Sequence, residues 1–343
     1  MVARDARGRL TRRRRGVLRT ARRPRARPRT TPTDERTVMK IAFLGLGHMG
    51  GPMAANLVAA GHHVTGYDPV SAAQEQARTD GLAVADSPTD AVREADVVFT
   101  MLPSGKHVLD LYDDILAAAP ADTLFVDSST IDVADARAAH EKAHAAGHRN
   151  LDAPVSGGVV GAAAGTLAFM VGGSDDDFAT AEPLLGVMGR KVVHCGGAGN
   201  GQAAKICNNM ILGASMIAVS EAFVLGEKLG LTNQALFDVA SNASGQCWAL
   251  TTNCPVPGPV PTSPANNDYR PGFSAALMDK DLGLAANAVR SNGVDAKLGL
   301  AAADIYHAYN AAGGGVNDFS AIVEDIRSHS GSATDTDTKD TAR

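Results

Sequence analysis

The sequence predicts an α/β domain with a parallel sheet, then an all-α domain, joined by a long helix. Up to about residue 200, short apolar runs that indicate buried strands alternate with helical patterns, as in a parallel sheet covered by helices. From residue 201 only helical patterns follow, near 202–230, 232–242, 273–292, 296–312 and 317–327. The expected segments are a disordered extension (1–38), the α/β domain (39–200), the all-α domain (201–328) and a disordered tail (329–343).

Residues 1–38 differ sharply in charge from the rest of the chain. They hold 14 arginines and three acidic residues, whereas residues 39–343 carry a formal net charge of −16. An Arg- and Pro-rich segment without apolar periodicity cannot bury enough surface to offset the entropy of ordering. Three interpretations stay open: an organelle-targeting peptide, a nucleic-acid-binding arm, or translated sequence upstream of a true start at Met39, which we favour. The acidic body argues against nucleic-acid binding.

The four cysteines form no C-x-x-C pair and have no metal-ligand spacing with the histidines. We therefore expect reduced thiols and no metal site, in a protein of the cytoplasm or the mitochondrial matrix. We find no apolar run that we would assign to a membrane span and no secretory signal core, so we expect no membrane partner.

The first element is a strand at 41–44 that stops in a glycine-rich turn. Gly45, Gly47 and Gly50 have G-x-G-x-x-G spacing, and a helical pattern follows. In a dinucleotide-binding turn the first glycine permits the tight bend, the second admits a pyrophosphate, and the third lets the helix pack on the strand. The pyrophosphate would rest on N–H groups at the start of this helix. The sequence therefore predicts a Rossmann-type domain.

The second strand, at 63–67, ends at Asp68. This carboxylate follows the middle glycine of the turn by 21 residues, near the spacing expected for the group that accepts hydrogen bonds from the adenosine ribose. No arginine occurs in 66–73, and Asp68 would repel a 2′-phosphate, so NAD is favoured over NADP. His48 in the turn and His107 further on would contact cofactor phosphate or solvent, and neither is assigned a catalytic role.

Later strands end in polar loops that should meet at one edge of the sheet, because the carboxyl ends of parallel strands form the ligand crevice of such folds. The predicted strands are 95–101, 124–126, 148–151, 166–171 and 191–194, with a helix near 176–188. The converging loops are 102–106, 127–131 and 152–158. A proline-rich stretch, 251–272, is expected to be a long loop, and loops of that length are usually functional or disordered.

A few polar residues could do chemistry. Lys205 and Asn209 lie four residues apart, on one face of the long helix. Lys205 could be a surface residue, or, if it faces the cofactor crevice, an acid/base whose pKa is lowered by burial. Ser156, Gly157 and Gly158 could turn consecutive N–H groups toward an anion or form a flexible loop. The pair 280–281 could be an exposed ion pair.

Four motifs in order resemble the β-hydroxyacid dehydrogenases, over about residues 39–327. They are G-L-G-x-M-G-x-P-M-A-x-N-L (45–57), D-A-P-V-S-G-G (152–158), G-x-x-x-K-x-x-N-N (201–209) and K-D-L-G-L-A (280–285). Other segments are most similar to the 3-hydroxyisobutyrate dehydrogenases of that family: D-S-S-T-I-D (127–132), G-Q-A-A-K-I-C-N-N-M (201–210), Q-C-W (246–248), and P-V-P-G (255–258) leading to P-A-N-N-x-Y (264–269).

This resemblance implies NAD-dependent oxidation of 3-hydroxyisobutyrate to methylmalonate semialdehyde, a step of valine breakdown. It implies that Lys205 is the acid/base, that Asn209 orients the substrate, and that residues 156–158 hold its carboxylate. It also implies a homodimer or homotetramer associated through the long helix. The implied NAD-site residues are Gly45, Gly47, His48, Met49, Gly50, Asp68, Leu102, Pro103, Thr130 and Lys280.

Other functions stay open. A tartronate-semialdehyde reductase or another short β-hydroxyacid reductase would share every catalytic residue. An imine-reducing relative is disfavoured, since those enzymes generally replace the lysine. A different class is a non-catalytic NAD-sensing or nucleic-acid-associated protein that uses the Arg-rich arm. The location would be cytoplasmic in a bacterium, or mitochondrial if that arm is a transit peptide.

Overall fold

The computed structural model describes residues 38–331. The predicted disordered extension and tail therefore lie outside the described residues, apart from Val38 and 329–331. Within the described range the chain forms an α/β part up to about residue 194 and a wholly helical part from Asn200, which confirms the predicted fold class. The assignment of residues 39–200 and 201–328 to separate domains stays a proposal.

The first sheet has six parallel strands in the order β3-β2-β1-β4-β5-β6. Its strands are β1 (Lys40–Leu44), β2 (His63–Tyr67), β3 (Ala83–Val84), β4 (Val97–Thr100), β5 (Leu124–Asp127) and β6 (Arg149–Asp152). The connecting helices are α1 (Gly50–Ala59), α2 (Ser71–Thr79), α3 (Pro88–Val92), α4 (Gly105–Ile115) and α5 (Val133–Ala145). Because every crossover connects parallel strands, the carboxyl ends of all six strands lie at the same end of the sheet.

Both faces of the central strands are buried, which explains their continuous apolar sequence. Phe43 and Phe99 pack on one face with ring centroids 5.7 Å apart, while Ala42 and Val98 join the core on the other face. The edge strand β3 was not predicted, because two residues are too few to show a periodicity.

A second, three-stranded sheet follows, and the sequence analysis did not separate it from the first. It consists of β7 (Val155–Ser156), β8 (Leu167–Val171) and β9 (Gly189–His194), with β7 antiparallel and β9 parallel to β8. Helix α6 (Gly158–Ala164) connects β7 to β8, and α7 (Asp175–Met188) connects β8 to β9. A short return between β7 and β8 makes that pair antiparallel, which apolar patterning alone does not reveal.

Between Asn200 and Gly331 every regular element is helical. The long helix α8 (Asn200–Lys228) is followed by α9 (Asn233–Ala240), α10 (Trp248–Thr251), α11 (Ala275–Ser291), α12 (Lys297–Ala311) and α13 (Ile322–His329), with short 3-10 helices at Pro264–Asn266, Gly314–Val316 and Phe319–Ala321. A separate apolar core forms around α8, α11 and α12 and includes Met216, Phe223 and Tyr306.

Helix α8 is long and apolar enough to cross a membrane by length and composition alone, which the sequence analysis did not anticipate. It is one such helix among residues 38–331, and 50% of its most apolar window is buried inside the protein. That burial is what the core helix of a folded domain produces, so this feature is weak evidence for a span.

The proline-rich stretch is an ordered loop. Ser263 Oγ donates to Cys254 O at 2.5 Å, and Tyr269 OH donates to Pro255 O at 2.8 Å. Cys254 and Val256 are fully buried, so the loop packs on the helical core.

Candidate active site

The glycine-rich turn between β1 and α1 has the shape that a dinucleotide phosphate requires. Gly45 adopts φ +96°, and a Cβ on Gly50 would overlap the carbonyl oxygen of Gly45. A Cβ on Gly47 would meet no atom of the described chain within 4 Å. Gly45 and Gly50 therefore permit the tight turn. Gly47 leaves open space beside the helix N-terminus, where a pyrophosphate can approach.

Asp68 is held rigidly at the end of β2. It is 8% exposed; its Oδ2 accepts the N–H of Leu46 at 2.8 Å and its Oδ1 accepts the N–H of Val70 at 2.8 Å. A carboxylate has about four acceptor positions, so this one retains capacity for ribose hydroxyls. The turn and Asp68 together fit NAD.

The loops after β4 and β5 are joined by a buried polar network. Asp127 Oδ1 accepts from Thr100 Oγ1 at 2.7 Å and from Ser129 Oγ at 2.6 Å, while Ser129 Oγ accepts the N–H of Leu102 at 2.8 Å. Burial raises the pKa of Asp127, and the Ser129 and Thr100 hydroxyls oppose that rise. This network fixes Leu102 beside the loop that carries Thr130, so two of the three predicted loops converge.

The third loop is joined to the start of α8 through Asp152. Its Oδ1 accepts the N–H of Gly199 and its Oδ2 accepts the N–H of Gln202, both at 2.8 Å. Burial raises the pKa of Asp152 to about 6, although these two N–H groups favour its charged form. A carboxylate of the first sheet thus caps the helix that bears Lys205.

Gln202 connects the same helix to the loop after β5. Its side chain is fully buried; Nε2 donates to Ser129 O at 2.7 Å, and Oε1 accepts the N–H of Ile131 at 3.2 Å. Both bonded residues flank Thr130.

Lys205, Asn209 and Asp281 form a buried polar cluster between α8 and α11. Lys205 Nζ lies 3.9 Å from Asp281 Oδ2, and Asn209 Nδ2 donates to the same oxygen at 2.5 Å. All three residues are at least nine-tenths buried. In a buried pair of this kind the burial and the carboxylate together set the pKa of the amine. The amine can then bind or release one proton during a reaction.

Desolvation dominates the titration of this pair. Burial lowers the pKa of Lys205, and the ammonium of Lys280 acts in the same direction, whereas Asp281 opposes the shift. Burial likewise raises the pKa of Asp281, opposed by the two lysines and by Asn209. At a given pH, a larger fraction of Lys205 is therefore neutral than of a lysine in water.

The pair Lys280–Asp281 is not an exposed ion pair. Asp281 is 4% exposed and faces Lys205, while Lys280 Nζ donates to Pro103 O at 3.0 Å. Lys280 thereby links α11 to the loop after β4, beside Leu102.

The loop 156–158 leaves the second sheet at the start of α6. Gly157 and Gly158 have φ values of +134° and +62°, which a side chain would strain. A Cβ on Gly158 would lie 3.0 Å from Gly272 O, so the segment before α11 lies against this loop. The N–H of Gly158 begins a helix and has no acceptor within it.

The remaining candidates are two histidines and the four cysteines. His48 is exposed in the glycine-rich turn, and His107 Nδ1 lies 2.7 Å from Ser104 Oγ. Cys207 is exposed, Cys254 is buried, and Cys195 and Cys247 are intermediate. Within residues 38–331, no three His, Cys, Asp or Glu side chains are grouped so that they could hold a metal ion.

Sequence reasoning assigned no individual role to Asp127, Gln202 or Asp281, although a signal existed for the last two. On α11 the buried positions are 275, 278, 281, 282, 285, 286 and 289, so Asp281 lies on the apolar stripe. Gln202 likewise lies on the buried face of its helix, α8. A polar residue at a core position usually has a buried partner, and that expectation points to both.

Two family models match consecutive parts of the chain. Residues 40–197 match the NAD binding domain of 6-phosphogluconate dehydrogenase, and residues 199–326 match the model described as NAD-binding of NADP-dependent 3-hydroxyisobutyrate dehydrogenase.

Individual relatives agree with these models. The chain is 60% identical over 287 residues to a probable 3-hydroxyisobutyrate dehydrogenase of Mycobacterium tuberculosis, covering 84% of this chain and 97% of the relative. It is 43% identical over 290 residues to the human mitochondrial 3-hydroxyisobutyrate dehydrogenase, covering 84% and 86%. It is 44% identical over 286 residues to an NAD-dependent L-serine dehydrogenase of Pseudomonas aeruginosa, covering 82% and 96%.

The fold has a solved counterpart, the M. tuberculosis 3-hydroxyisobutyrate dehydrogenase in a structure with L-serine. The TM-score is 0.83 at 60% identity, covering 84% of this chain and 99% of that one. The chain belongs to the β-hydroxyacid dehydrogenase family and is of the 3-hydroxyisobutyrate dehydrogenase type. It is an NAD-dependent oxidoreductase that acts on a small hydroxyacid.

Proposed function

We propose that this enzyme oxidises the primary alcohol of 3-hydroxyisobutyrate to methylmalonate semialdehyde, a step of valine breakdown, with Lys205 as general acid/base. The observation that carries this proposal is the enclosed Lys205–Asp281–Asn209 cluster in a chain 60% identical to a probable 3-hydroxyisobutyrate dehydrogenase. We also propose a cytoplasmic location if the host is a bacterium, as M. tuberculosis is.

The chemistry divides between cofactor and protein. Bound NAD⁺ supplies the acceptor for the hydride that leaves the hydroxymethyl carbon. Neutral Lys205 takes the hydroxyl proton, and Asp281 stabilises the ammonium so formed. In the reverse direction the ammonium returns the proton to the carbonyl oxygen. Asn209 gives one amide N–H to Asp281 and retains the second for the substrate.

The substrate carboxylate would be held by Ser156 and the N–H groups of Gly157 and Gly158, at the loop that Gly272 closes. The proposed NAD contacts are the turn at 45–50, including His48 and Met49, the ribose carboxylate of Asp68, and the nicotinamide-side residues Leu102, Pro103, Thr130 and Lys280.

Lys205→Ala tests the acid/base role. Turnover should fall by about a hundredfold to ten-thousandfold, the contribution that general acid–base catalysis typically makes, while NAD affinity stays near normal. Lys228→Ala, at the exposed end of the same helix, is the matched control and should retain activity. Turnover of Lys205→Ala near the wild-type rate would reject the assignment.

A second candidate substrate is L-serine. The solved M. tuberculosis relative contains it, and a relative 44% identical to this chain is named for its oxidation. L-Serine carries an ammonium where 3-hydroxyisobutyrate carries a methyl group, so an apolar pocket wall would discriminate between them. Short reductases such as those for tartronate semialdehyde would share the same cluster.

Steady-state kcat/KM values for 3-hydroxyisobutyrate, L-serine, glycerate and 3-hydroxypropionate, each with NAD and NADP, decide among these substrates. The highest value for 3-hydroxyisobutyrate with NAD would support the proposal. A preference for L-serine or glycerate would replace the substrate and keep the chemistry. No turnover of any of them would favour the non-catalytic NAD-sensing alternative.

We further propose that the enzyme is a homodimer or homotetramer associated through α8. Two apolar residues of that helix and one at its C-terminal cap are exposed: Ile211 66%, Leu225 58% and Leu229 72%. Association of two copies through α8 would remove these side chains from water. Light scattering should give a multiple of the chain mass, and Ile211→Glu with Leu225→Glu should shift it toward the monomer; a monomeric wild type would refute this.

A further inference from the structure

We propose that Gln202 is a positioning residue that fixes the rotation of α8, and thereby aims Lys205 at the nicotinamide-side loop. This inference rests on the proposed catalytic role of Lys205. Gln202 is fully buried and uses both ends of its amide: Nε2 donates to Ser129 O at 2.7 Å, and Oε1 accepts the N–H of Ile131 at 3.2 Å.

The helical spacing places Gln202 where it can control the reacting amine. Gln202, Lys205 and Asn209 follow one another at three and four residues, so they lie in one row on α8. A rotation of the helix that moved the Gln202 amide would carry Lys205 Nζ in the same sense. The two residues that bond to the Gln202 amide flank Thr130. The position of the Lys205 amine is therefore tied to the loop proposed to contact the cofactor.

The position of the helix along its axis is fixed by other groups. Asp152 accepts the N–H groups of Gly199 and Gln202, and a Cβ on Gly201 would lie 2.6 Å from Asp152 O. These contacts hold the helix end against β6. The side chain of Gln202 reaches sideways to a different loop and so resists rotation at this end of the helix, as the Asn209–Asp281 hydrogen bond does two turns further along.

Glutamine supplies a donor and an acceptor at this reach at every pH, whereas glutamate supplies the donor only when it is protonated. In the Gln202→Glu variant the ionised carboxylate would accept from Ile131 but would face Ser129 O without a proton. Protonation would restore a donor, so that variant should recover as the pH falls. Gln202→Met keeps the volume and loses both hydrogen bonds at every pH.

The experiment compares Gln202→Met, Gln202→Glu, Lys205→Ala and Thr123→Val with wild type. Thr123 is the matched control: it is buried, its Oγ1 contacts Pro120 O at 2.7 Å and Ala95 O at 3.1 Å, and it lies at the opposite edge of the sheet from the site. The measurements are kcat, KM, NAD Kd, thermal midpoint, and the isotope effect with 3-hydroxyisobutyrate deuterated at its hydroxymethyl carbon.

We expect Gln202→Met to lower kcat by about tenfold to a hundredfold, the range that a misplacement of about 1 Å produces. Its isotope effect should rise as hydride transfer becomes slower than product release. The ratio of Gln202→Glu activity to wild-type activity should rise as the pH is lowered. Thr123→Val should lower the thermal midpoint without changing kcat or the isotope effect.

Two results would overturn the inference in different ways. A wild-type kcat and isotope effect for Gln202→Met, with a thermal midpoint lowered as in Thr123→Val, would make Gln202 purely structural while Lys205 keeps its role. Full turnover of Lys205→Ala would overturn the acid/base assignment and the positioning role with it.

Discussion

Replacing Asp281 with asparagine removes one negative charge 3.9 Å from Lys205 Nζ and nearly preserves the side-chain shape. At an effective dielectric constant of about 20, two unit charges at this distance attract by about 4 kcal/mol. Even one third of that energy, about 1.4 kcal/mol, changes the ratio of neutral to protonated amine by about tenfold. Asparagine can still accept from Asn209, so the effect on Lys205 should be mainly electrostatic.

The direction of the expected pH shift follows from the charge of Asp281. Burial lowers the pKa of Lys205, and the Asp281 carboxylate partly opposes that decrease. Without that charge the pKa of Lys205 falls further. Alcohol oxidation needs the neutral amine, so the acidic limb of its kcat/KM profile should move to lower pH. Aldehyde reduction needs the ammonium, so the alkaline limb of that profile should also move to lower pH.

Asp279→Asn is the matched control, since it makes the same substitution two residues away on α11. Asp279 accepts from Asn310 Nδ2 at 2.7 Å and lies 3.4 Å from His307 Nδ1, and neither contact involves Lys205. Unchanged limbs in Asp281→Asn would show that Asp281 is already protonated in the working range. Movement of either limb to higher pH would refute the assignment of Lys205 as the titrating group.

Four further variants have expected outcomes. Gly50→Ala should lower the free energy of unfolding in denaturant titrations by roughly 3 kcal/mol, because its Cβ would overlap Gly45 O. Gly47→Ala should fold normally, and calorimetry should show NAD binding weakened by about tenfold. Asp68→Asn should raise the ratio of NADP to NAD kcat/KM by about tenfold or more, because a 2′-phosphate no longer meets a like charge; an unchanged ratio would remove Asp68 from the ribose site. Burial raises the pKa of Asp152 from 3.8 to about 6, so the folded state binds more protons between those pH values. Stability relative to Asp152→Asn should therefore fall as the pH rises through that window, by at most about 3 kcal/mol, and a rise in urea titrations would contradict this.

The parts of the fold that sequence predicted are those in which neighbouring residues determine the structure. The strand at 41–44, the glycine turn and Asp68 follow one another within 30 residues, and each has a steric or spacing requirement that leaves few alternatives. The change from alternating elements to helices at residue 200 is likewise visible in the local periodicity.

The parts that sequence did not predict depend on distant pairing. The second sheet required knowing that β7 pairs with β8 rather than extending the first sheet. Asp281 lies 72 residues from Asn209, and Gln202 lies 73 residues from Ser129, so no local pattern names their partners. Lys280 and Asp281 are adjacent in sequence, and only packing decides that one reaches Pro103 and the other Lys205.

The seating of α8 bears on how genes of this family can be recombined. Strands precede residue 200 and helices follow it, which suggests a crossover there, but the first turn of α8 bonds to Asp152, Ser129 and Ile131. Further along, Gly213 packs closely on Leu282 of α11. A chimera should therefore inherit residues 199–202 with its N-terminal parent, and a crossover just after Gln202 should yield more active hybrids than one at Asn200.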